Sequence, residues 1–246
     1  TPEGLLYDNN TSEALTWMDA KVDGKPVIDR SGMAVEIQAL WYNYIRIMII
    51  LKENLNDRTH LTYLKELKIT IEKNFEKVFW NSSQNCLVDC VREDFTDKSV
   101  RPNQVIVAYL PFKLLGNRKN KMVLATAEQK LLTDLGLKTL TKEDPAYIGE
   151  YKGDQKQRDM SYHQGTVWPF LLGFYLCAYY ETYLKTKSAK NYVIDKLLTF
   201  QNALDSRKLN YIPEIFSAEG LEPNGCLAQA WSVAMTLETI YHLRSN

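Results

Sequence analysis

Two acidic residues, Asp19 and Glu214, lie in loop-like segments next to aromatic or apolar side chains. Asp19 follows Trp17 by two positions, and Glu214 comes directly after Pro213. A carboxylic acid in apolar surroundings has a raised pKa, because desolvation disfavours its charged form, and it can then give or take a proton near neutral pH. One acidic residue in a loop is more often a helix cap or a turn residue. The pair together predicts general acid and base chemistry.

Several aromatic and polar side chains accompany the two acids along the chain. They are Trp17, Trp41, Trp168, Trp231, Arg101, Asn103, Gln104, Gln164 and Gln229. Flat aromatic faces beside amide and guanidinium donors suit a sugar, because a pyranose ring has an apolar C–H face and a fringe of hydroxyl groups. Trp41 lies among Ile and Leu and is equally well interpreted as a core residue. For Trp17 and Trp168, in loop surroundings, a binding site is favoured.

Other chemistries lack their sequence signals. No phosphate-binding glycine loop, dinucleotide fingerprint, GxSxG or HExxH motif occurs. The segment that begins at Asp19 has Lys21 and Arg30 where a calcium loop needs oxygen ligands. Cys86 and Cys90 have no second thiol pair, which indicates buried thiols more than a zinc site. We therefore expect no metal and no cofactor.

Charge and hydropathy restrict the partners. Thirty Lys and Arg residues balance 30 Asp and Glu residues, so no overall basic field attracts nucleic acid or an anionic membrane. The uncharged run 160–180 has a strictly apolar part of 13 residues, from Trp168 to Tyr180, and a bilayer needs about 20. Four cysteines are too few for a disulfide framework in a chain of this length. We expect a cytoplasmic protein that binds neither nucleic acid nor a membrane.

Helical periodicity dominates the segments between the loops. Apolar residues recur every three or four positions at 35–54, 61–80, 104–115, 121–135, 165–185, 189–204 and 227–243. Some of these helices are apolar on most of their surface and others have one polar face, which predicts an all-α fold of stacked αα-hairpins, a toroid more than a four-helix bundle. The polar segments 16–34, 92–103, 144–165 and 210–226 are predicted to be functional loops.

Six blocks of sequence carry more specific information in their order than any block alone. They are LTWMDA from Leu15, VEIQALWYN from Val35, VRPNQ from Val100, YHQGTVWP from Tyr162, PEIF from Pro213 and GCLAQAWS from Gly225. In this order, over residues 15–232, they resemble the amylo-α-1,6-glucosidase domain of glycogen debranching enzymes. The resemblance implies an (α/α)6 barrel and hydrolysis of the α-1,6-linked glucosyl stub at glycogen branch points, with an α-glucan as the ligand.

The same resemblance implies roles for individual residues. Asp19 corresponds to the general acid and Glu214 to the general base of an inverting hydrolase. Such a pair must leave room for a water, so the two carboxyl groups should lie roughly 6.5 to 9.5 Å apart. The residues implied to line the sugar pocket are Trp17, Glu36, Gln38, Trp41, Arg101, Gln104, His163, Gln164, Trp168, Gln229 and Trp231.

The chain also departs from the family pattern. An (α/α)6 barrel has twelve helices, whereas about seven are predicted here. We therefore expect residues 1–246 to form one helical domain that is the C-terminal part of a longer barrel, with the missing N-terminal part as a partner. After Glu214 the loop reads FSAEG from Phe216, where the family commonly has an Asp and a Gly soon after the Phe.

Two further functional classes stay open at this point. One is a non-catalytic α-glucan-binding or scaffold remnant of such a domain. The other is an αα-toroid that binds another protein, which has less support because the zinc ligands of terpenoid-transferase-like folds are missing. The two carboxylates favour the enzyme.

Overall fold

The computed structural model describes residues 1–245 and contains eight helices over that range. They are α1 (Val35–Asn54), α2 (Leu61–Phe79), α3 (Asn103–Tyr109), α4 (Asn117–Lys130), α5 (Gln155–Ser161), α6 (Phe170–Thr182), α7 (Lys187–Ser206) and α8 (Ala230–Arg244). Seven of them match the predicted helical segments. The final residue of the predicted domain, 246, lies outside the described residues.

Two differences from the predicted helices have local causes. Helix α3 ends at Tyr109, six residues before the predicted end at 115, because Leu110 precedes Pro111 and adopts an extended backbone with ψ of 145°. Helix α5 lies in a segment predicted to be a loop. It has seven residues and no apolar stripe, and it begins with a capping box in which Asp154 and Gln157 bond each other's backbone N–H.

All helices except α5 form two layers. Helices α1, α3, α6 and α8 contact one another in that order and make an inner row, while α2, α4 and α7 pack behind it. Helix α6 is buried on nearly all sides between neighbours, which agrees with the absence of charge before Glu181. Helix α2 buries one stripe, with Ile71, Phe75 and Phe79, and turns its charged face outward. The chain is therefore an arc of αα-hairpins.

The prediction of an all-α fold is wrong in one respect, since twelve short strands occur within residues 1–245. They are β1 (Lys21–Val22), β2 (Lys25–Pro26), β3 (Met33–Ala34), β4 (Trp80–Asn81), β5 (Cys86–Leu87), β6 (Cys90–Val91), β7 (Thr96–Asp97), β8 (Leu132–Thr133), β9 (Gly136–Lys138), β10 (Val167–Trp168), β11 (Ile215–Phe216) and β12 (Pro223–Asn224). Each has two or three residues, too few for an alternating pattern to be recognisable in sequence.

Two small antiparallel sheets bring distant loops together on the side of the molecule where the inner helices begin. One has the strand order β12-β11-β10-β9-β8, with Val167 opposite Phe216. The other has the order β3-β6-β7, with Ala34 opposite Cys90. Strand β10 leads directly into α6, β3 into α1, and β11 and β12 precede α8. The sheets therefore fix the loops at the N-terminal ends of the inner helices, where both acids lie.

The two ends of the inner row present apolar stripes. Exposed side chains at helical spacing are Leu40, Tyr44, Ile47 and Leu51 on α1, and Val233, Leu237 and Tyr241 on α8. Contiguous exposed apolar surface of this kind marks an interaction surface. Within residues 1–245, no helix has both the length and the hydropathy that crossing a bilayer requires.

Candidate active site

Trp17, in the loop before α1, is held to the interior by a chain of hydrogen bonds. Its indole Nε1 donates to Asn103 Oδ1 at 2.7 Å, and Asn103 Nδ2 donates to Asp89 Oδ1, also at 2.7 Å. Asp89 Oδ2 accepts from Arg30 Nε at 2.7 Å. Asn103, Asp89 and Arg30 are all buried. The position of the indole is therefore set by the first residue of α3 and by the β3-β6-β7 sheet.

Arg30 joins Glu36, the second residue of α1, to this chain. Its guanidinium makes a bidentate ion pair with the Glu36 carboxylate, and Arg30, Glu36 and Asp89 side chains are each 2% exposed. Burial opposes the charge of Arg30, but Asp89 and Glu36 outweigh it and raise the pKa of Arg30 above its usual range. Glu36, predicted to line the sugar pocket, is thus engaged by a protein cation.

Arg101 ties the segment before β10 to the start of α3. Its Nη1 donates to the carbonyl oxygens of His163 at 2.9 Å and Thr139 at 3.2 Å, and its Nη2 donates to Gln164 Oε1 at 2.7 Å. Burial, only partly offset by Asp89 and Asp97, lowers the pKa of Arg101. Arg101 and Gln164 therefore hold backbone segments in the interior.

Three further residues of the predicted pocket also bond to backbone. Gln38 exchanges hydrogen bonds with the backbone of Leu6, at 2.7 and 2.9 Å. Gln104 Oε1 accepts from the Leu87 N–H at 3.3 Å. Trp41 Nε1 donates to the Gly4 carbonyl at 3.1 Å. Gln38 and Trp41 thus anchor the first residues of the chain to α1.

An aromatic cluster surrounds Trp17. The indole meets the rings of His163, Trp168 and Phe170 edge to face, with centroids 5.2 to 5.3 Å apart. Trp231, on α8, stacks on Phe170 at 3.7 Å and is 39% exposed. The cluster therefore has a buried base and an exposed face at Trp231.

His163 belongs to the buried base of the cluster. It is 1% exposed and stacks on Trp168, with centroids 5.4 Å apart. Neither ring nitrogen has a hydrogen-bond partner within the described part of the chain. Burial, reinforced by the positive charges of Arg101 and Arg30, lowers the pKa of His163 to about 3. The ring is therefore neutral at physiological pH.

The Glu214 carboxylate is held by neutral donors. Oε2 accepts from the Cys226 N–H at 2.9 Å, and Oε1 accepts from Gln229 Nε2 at 3.0 Å. Glu214 is half-buried and takes part in no ion pair within residues 1–245. Gly225 has φ of +69°, and a Cβ there would lie 2.4 Å from Glu214 Oε2, so the loop requires a glycine at this position.

Asp19 and Glu214 both affect the pKa of Tyr162. Burial is the largest cause, and the nearby Glu214 carboxylate and the negative charge of Asp19 also raise this pKa. Asp19 itself is exposed, and its neighbour Met18 is buried. The apolar surroundings expected for Asp19 are absent in this structure, because the Trp17 indole is turned inward to Asn103.

Similarity to known proteins shows the family of this chain. The family model for amylo-alpha-1,6-glucosidase matches residues 1–238. The chain belongs to the amylo-α-1,6-glucosidase family. The glycogen debranching enzyme of Saccharomyces cerevisiae is 23% identical over 298 aligned residues, which cover 98% of this chain and 19% of that enzyme. The chain thus spans about a fifth of the length of this relative.

Solved structures of two other hydrolases share the fold. The GH63 mannosylglycerate hydrolase of Thermus thermophilus, in complex with glucose, matches with a TM-score of 0.59 and 12% identity over 85% of this chain and 47% of that chain. The neutral trehalase of Saccharomyces cerevisiae matches with a TM-score of 0.63 and 11% identity over 92% of this chain and 41% of that one. This member of the amylo-α-1,6-glucosidase family thus shares the fold of both hydrolases and covers less than half of either structure.

The structure divides the residues predicted from the family resemblance into two groups. Those with side chains at least partly exposed around the cluster are Asp19, Glu214, Trp17, Gln229 and Trp231. Those in the interior are Glu36, Gln38, Arg101, Gln104, His163, Gln164 and Trp168. Trp41 is half-buried on α1, where it stacks on Tyr44 apart from the cluster. Direct sugar contacts by the interior group and by Trp41 remain predictions.

Sequence reasoning missed three residues of this amylo-α-1,6-glucosidase family site. Tyr162 stands inside a block that carries the family resemblance, so its position was a signal, but no role was derived for it. Asn103 was predicted as an amide for a sugar, whereas its amide bonds Trp17 and Asp89. Arg30 and Asp89 carry no sequence signal, since they are 59 residues apart and meet only through the β3-β6-β7 sheet.

Proposed function

We propose that this domain hydrolyses α-1,6-linked glucosyl residues at the branch points of glycogen or a similar α-glucan. The main support is the environment of Glu214. Within the described chain its carboxylate is held only by neutral donors, and it lies beside an exposed aromatic face. Membership of the amylo-α-1,6-glucosidase family supports the choice of bond. Trp231 and Trp17 would then contact the apolar face of the pyranose ring.

The proposed mechanism is inverting. Asp19 protonates the glycosidic oxygen as the C1–O bond breaks, and Glu214 takes a proton from a water that attacks C1 on the opposite face. The water oxygen becomes the new C1 hydroxyl, so an α-1,6 bond releases β-glucose. The exposure of Asp19 leaves this carboxyl accessible to a glycosidic oxygen at the rim.

We also propose that the arc is the C-terminal part of an (α/α)6 barrel whose remaining wall comes from the missing N-terminal part. The apolar stripes at the edges of α1 and α8 support this arrangement, as does the match to less than half of each solved hydrolase. An apolar groove of about 730 Å³ between α7 and α8, lined by Ile194, Leu198 and Ile240, is a further surface without a packed helix.

A non-catalytic α-glucan-binding role is the second candidate. The observation that favours it is the exposure of Asp19, because the apolar surroundings expected for a general acid are absent around this carboxylate. On this alternative, the aromatic face binds glucan but no bond is cleaved.

Glucose release from an α-1,6-branched maltooligosaccharide tests the proposed function. We expect Asp19→Asn and Glu214→Gln each to lower kcat about 10²- to 10⁴-fold, the range for loss of a general acid or base. Glu219→Gln is the matched control, because Glu219 lies in the same loop and pairs with Lys142 on the surface. Undiminished turnover in Glu214→Gln would reject the mechanism, and glucan binding without any turnover would favour the second candidate.

A further inference from the structure

Both oxygens of the Glu214 carboxylate accept hydrogen bonds from one neighbouring segment, residues 226–229. The Cys226 N–H donates to Oε2 at 2.9 Å, and Gln229 Nε2 donates to Oε1 at 3.0 Å. The Glu214 backbone N–H in turn donates to the Cys226 carbonyl at 3.0 Å. The last torsion of a glutamate side chain is soft, so a donor on each oxygen is needed to hold the carboxyl plane in one orientation.

The backbone of Gln229 is held by two neighbouring elements. Its N–H donates to the carbonyl of Ile212, two residues before Glu214, at 3.0 Å. Gln229 also directly precedes α8, which packs against α6. The second residue of α8, Trp231, stacks on Phe170 of α6 with ring centroids 3.7 Å apart. The Gln229 amide therefore reaches Glu214 from a backbone that is fixed to the aromatic cluster.

Resting on the proposed function, we propose that Gln229 is a positioning residue for the general base Glu214 and not a contact to the sugar. A carboxylate has about four acceptor sites on its two oxygens, so two bound donors leave about two sites for a water. Without the Gln229 amide, the carboxyl would stay attached to the Cys226 N–H through Oε2 alone and could turn about that bond. A misdirected base slows the attack of water, while the sugar binds as before.

The two possible roles of Gln229 have different kinetic consequences. An amide that bonds a sugar hydroxyl equally in the ground state and the transition state contributes to binding, so its loss raises KM. An amide that orients the base contributes to the step in which water attacks C1. Its loss therefore lowers kcat and leaves KM nearly unchanged.

The substrate α-glucosyl fluoride separates the base from the acid. As water attacks the anomeric carbon, the C1–F bond breaks and fluoride departs as an anion that needs no proton from Asp19. Glu214 must still take the proton of the water, whose oxygen becomes the new C1 hydroxyl. Loss of a group that serves the base should therefore slow the hydrolysis of the fluoride and of a branched glucan equally. Loss of the acid should matter much less with the fluoride.

The test compares the unaltered full chain with Gln229→Met, which has an unbranched side chain of the same length and no amide. We expect kcat to fall about tenfold on both α-glucosyl fluoride and an α-1,6-branched maltooligosaccharide, the size of one lost hydrogen bond, with KM within about twofold. Asp19→Asn should lose much more on the branched glucan than on the fluoride. Gln229→Leu also lacks the donor and should repeat the result if Gln229→Met fails to fold.

Asn224→Leu is the matched control for loss of an amide from the same loop. The Asn224 amide donates to Ser217 Oγ at 3.2 Å and to the Glu222 carbonyl at 3.0 Å. Its loss should leave kcat within about twofold of the unaltered protein on both substrates. An equal tenfold loss in Asn224→Leu would overturn the specific role of Gln229.

Crystal structures of the unaltered protein and of Gln229→Met give a readout that needs no turnover. We expect the Glu214 carboxyl plane to turn about the Cγ–Cδ bond, with Oε2 still bonded to the Cys226 N–H. An unturned carboxylate would overturn the proposal, as would a raised KM with unchanged kcat or a loss confined to the branched glucan. If the unaltered protein releases neither fluoride nor glucose, the proposed function is rejected, and the two crystal structures still decide whether Gln229 orients Glu214.

Discussion

Two carboxylate sites near the N-terminal ends of the inner helices differ in the groups that bind them. Glu36 and Asp89 are bound by the guanidinium of Arg30, and their side chains are 2% exposed. Glu214 is bound by a backbone N–H and a side-chain amide, and it is half-buried. The two carboxylates of the first site share one protein cation, while the carboxylate of the second site is held by neutral donors near an exposed aromatic face.

This difference separates carboxylates that stabilise the fold from a carboxylate that can take part in catalysis. An ion pair removed from water holds elements together, because breaking it leaves a buried charge without compensation. A carboxylate held by neutral donors is oriented but still able to accept a proton. Asn103 links the two sites, since it donates to Asp89 and accepts from the Trp17 indole. The buried network thus positions the aromatic cluster beside Glu214.

Removal of the cation should have the largest effect on stability. Arg30→Met leaves Glu36 and Asp89 buried without their partner, and we expect the free energy of unfolding to fall by about 3 to 5 kcal/mol. Urea denaturation followed by circular dichroism measures this loss. Glu214→Gln keeps one acceptor oxygen for these donors and places an NH2 group at the other position, so it should cost only about one hydrogen bond, roughly 1 kcal/mol. Equal losses in the two variants would mean that the two carboxylate sites do not differ as described.

The next largest effect is the dependence of stability on pH that comes from His163, a buried and uncharged side chain. Its folded pKa of about 3 lies below its ordinary value of 6.5. As pH falls through this window the unfolded chain binds the proton first, so stability is lost between pH 6.5 and about 3. At about 1.4 kcal/mol per pH unit, the loss from His163 between pH 7 and pH 4 should be roughly 3 kcal/mol.

His163→Phe should remove that part of the acid sensitivity while it keeps an aromatic ring against Trp168. Thermal or urea unfolding at pH 7 and pH 4 compares this variant with the unaltered chain. The control is His60→Phe, because His60 is exposed at the start of α2. If His163→Phe lost as much stability on acidification as the unaltered chain, His163 would not be a neutral interior group.

The sequence predicted the helices better than the contacts that build the site. Helix α1 has the predicted bounds 35–54, because twenty residues of apolar periodicity determine it locally. The strands were missed because β10 and β11 have two residues each and exist only through their pairing. The residue types for sugar and acid–base chemistry were identified, and the family resemblance separated Glu214, as the general base, from Glu36. The ion pair that buries Glu36 was not predicted, because the folded chain alone brings Arg30 to both Glu36 and Asp89.

The most direct test is a crystal structure with a short α-1,6-branched glucan bound. We predict that the terminal pyranose ring lies against Trp231, with its anomeric carbon between the carboxyl groups of Asp19 and Glu214. The two carboxyl groups should then be roughly 6.5 to 9.5 Å apart, as an inverting pair requires. Sugar bound only elsewhere, for example in the groove between α7 and α8, would contradict the assignment of this site.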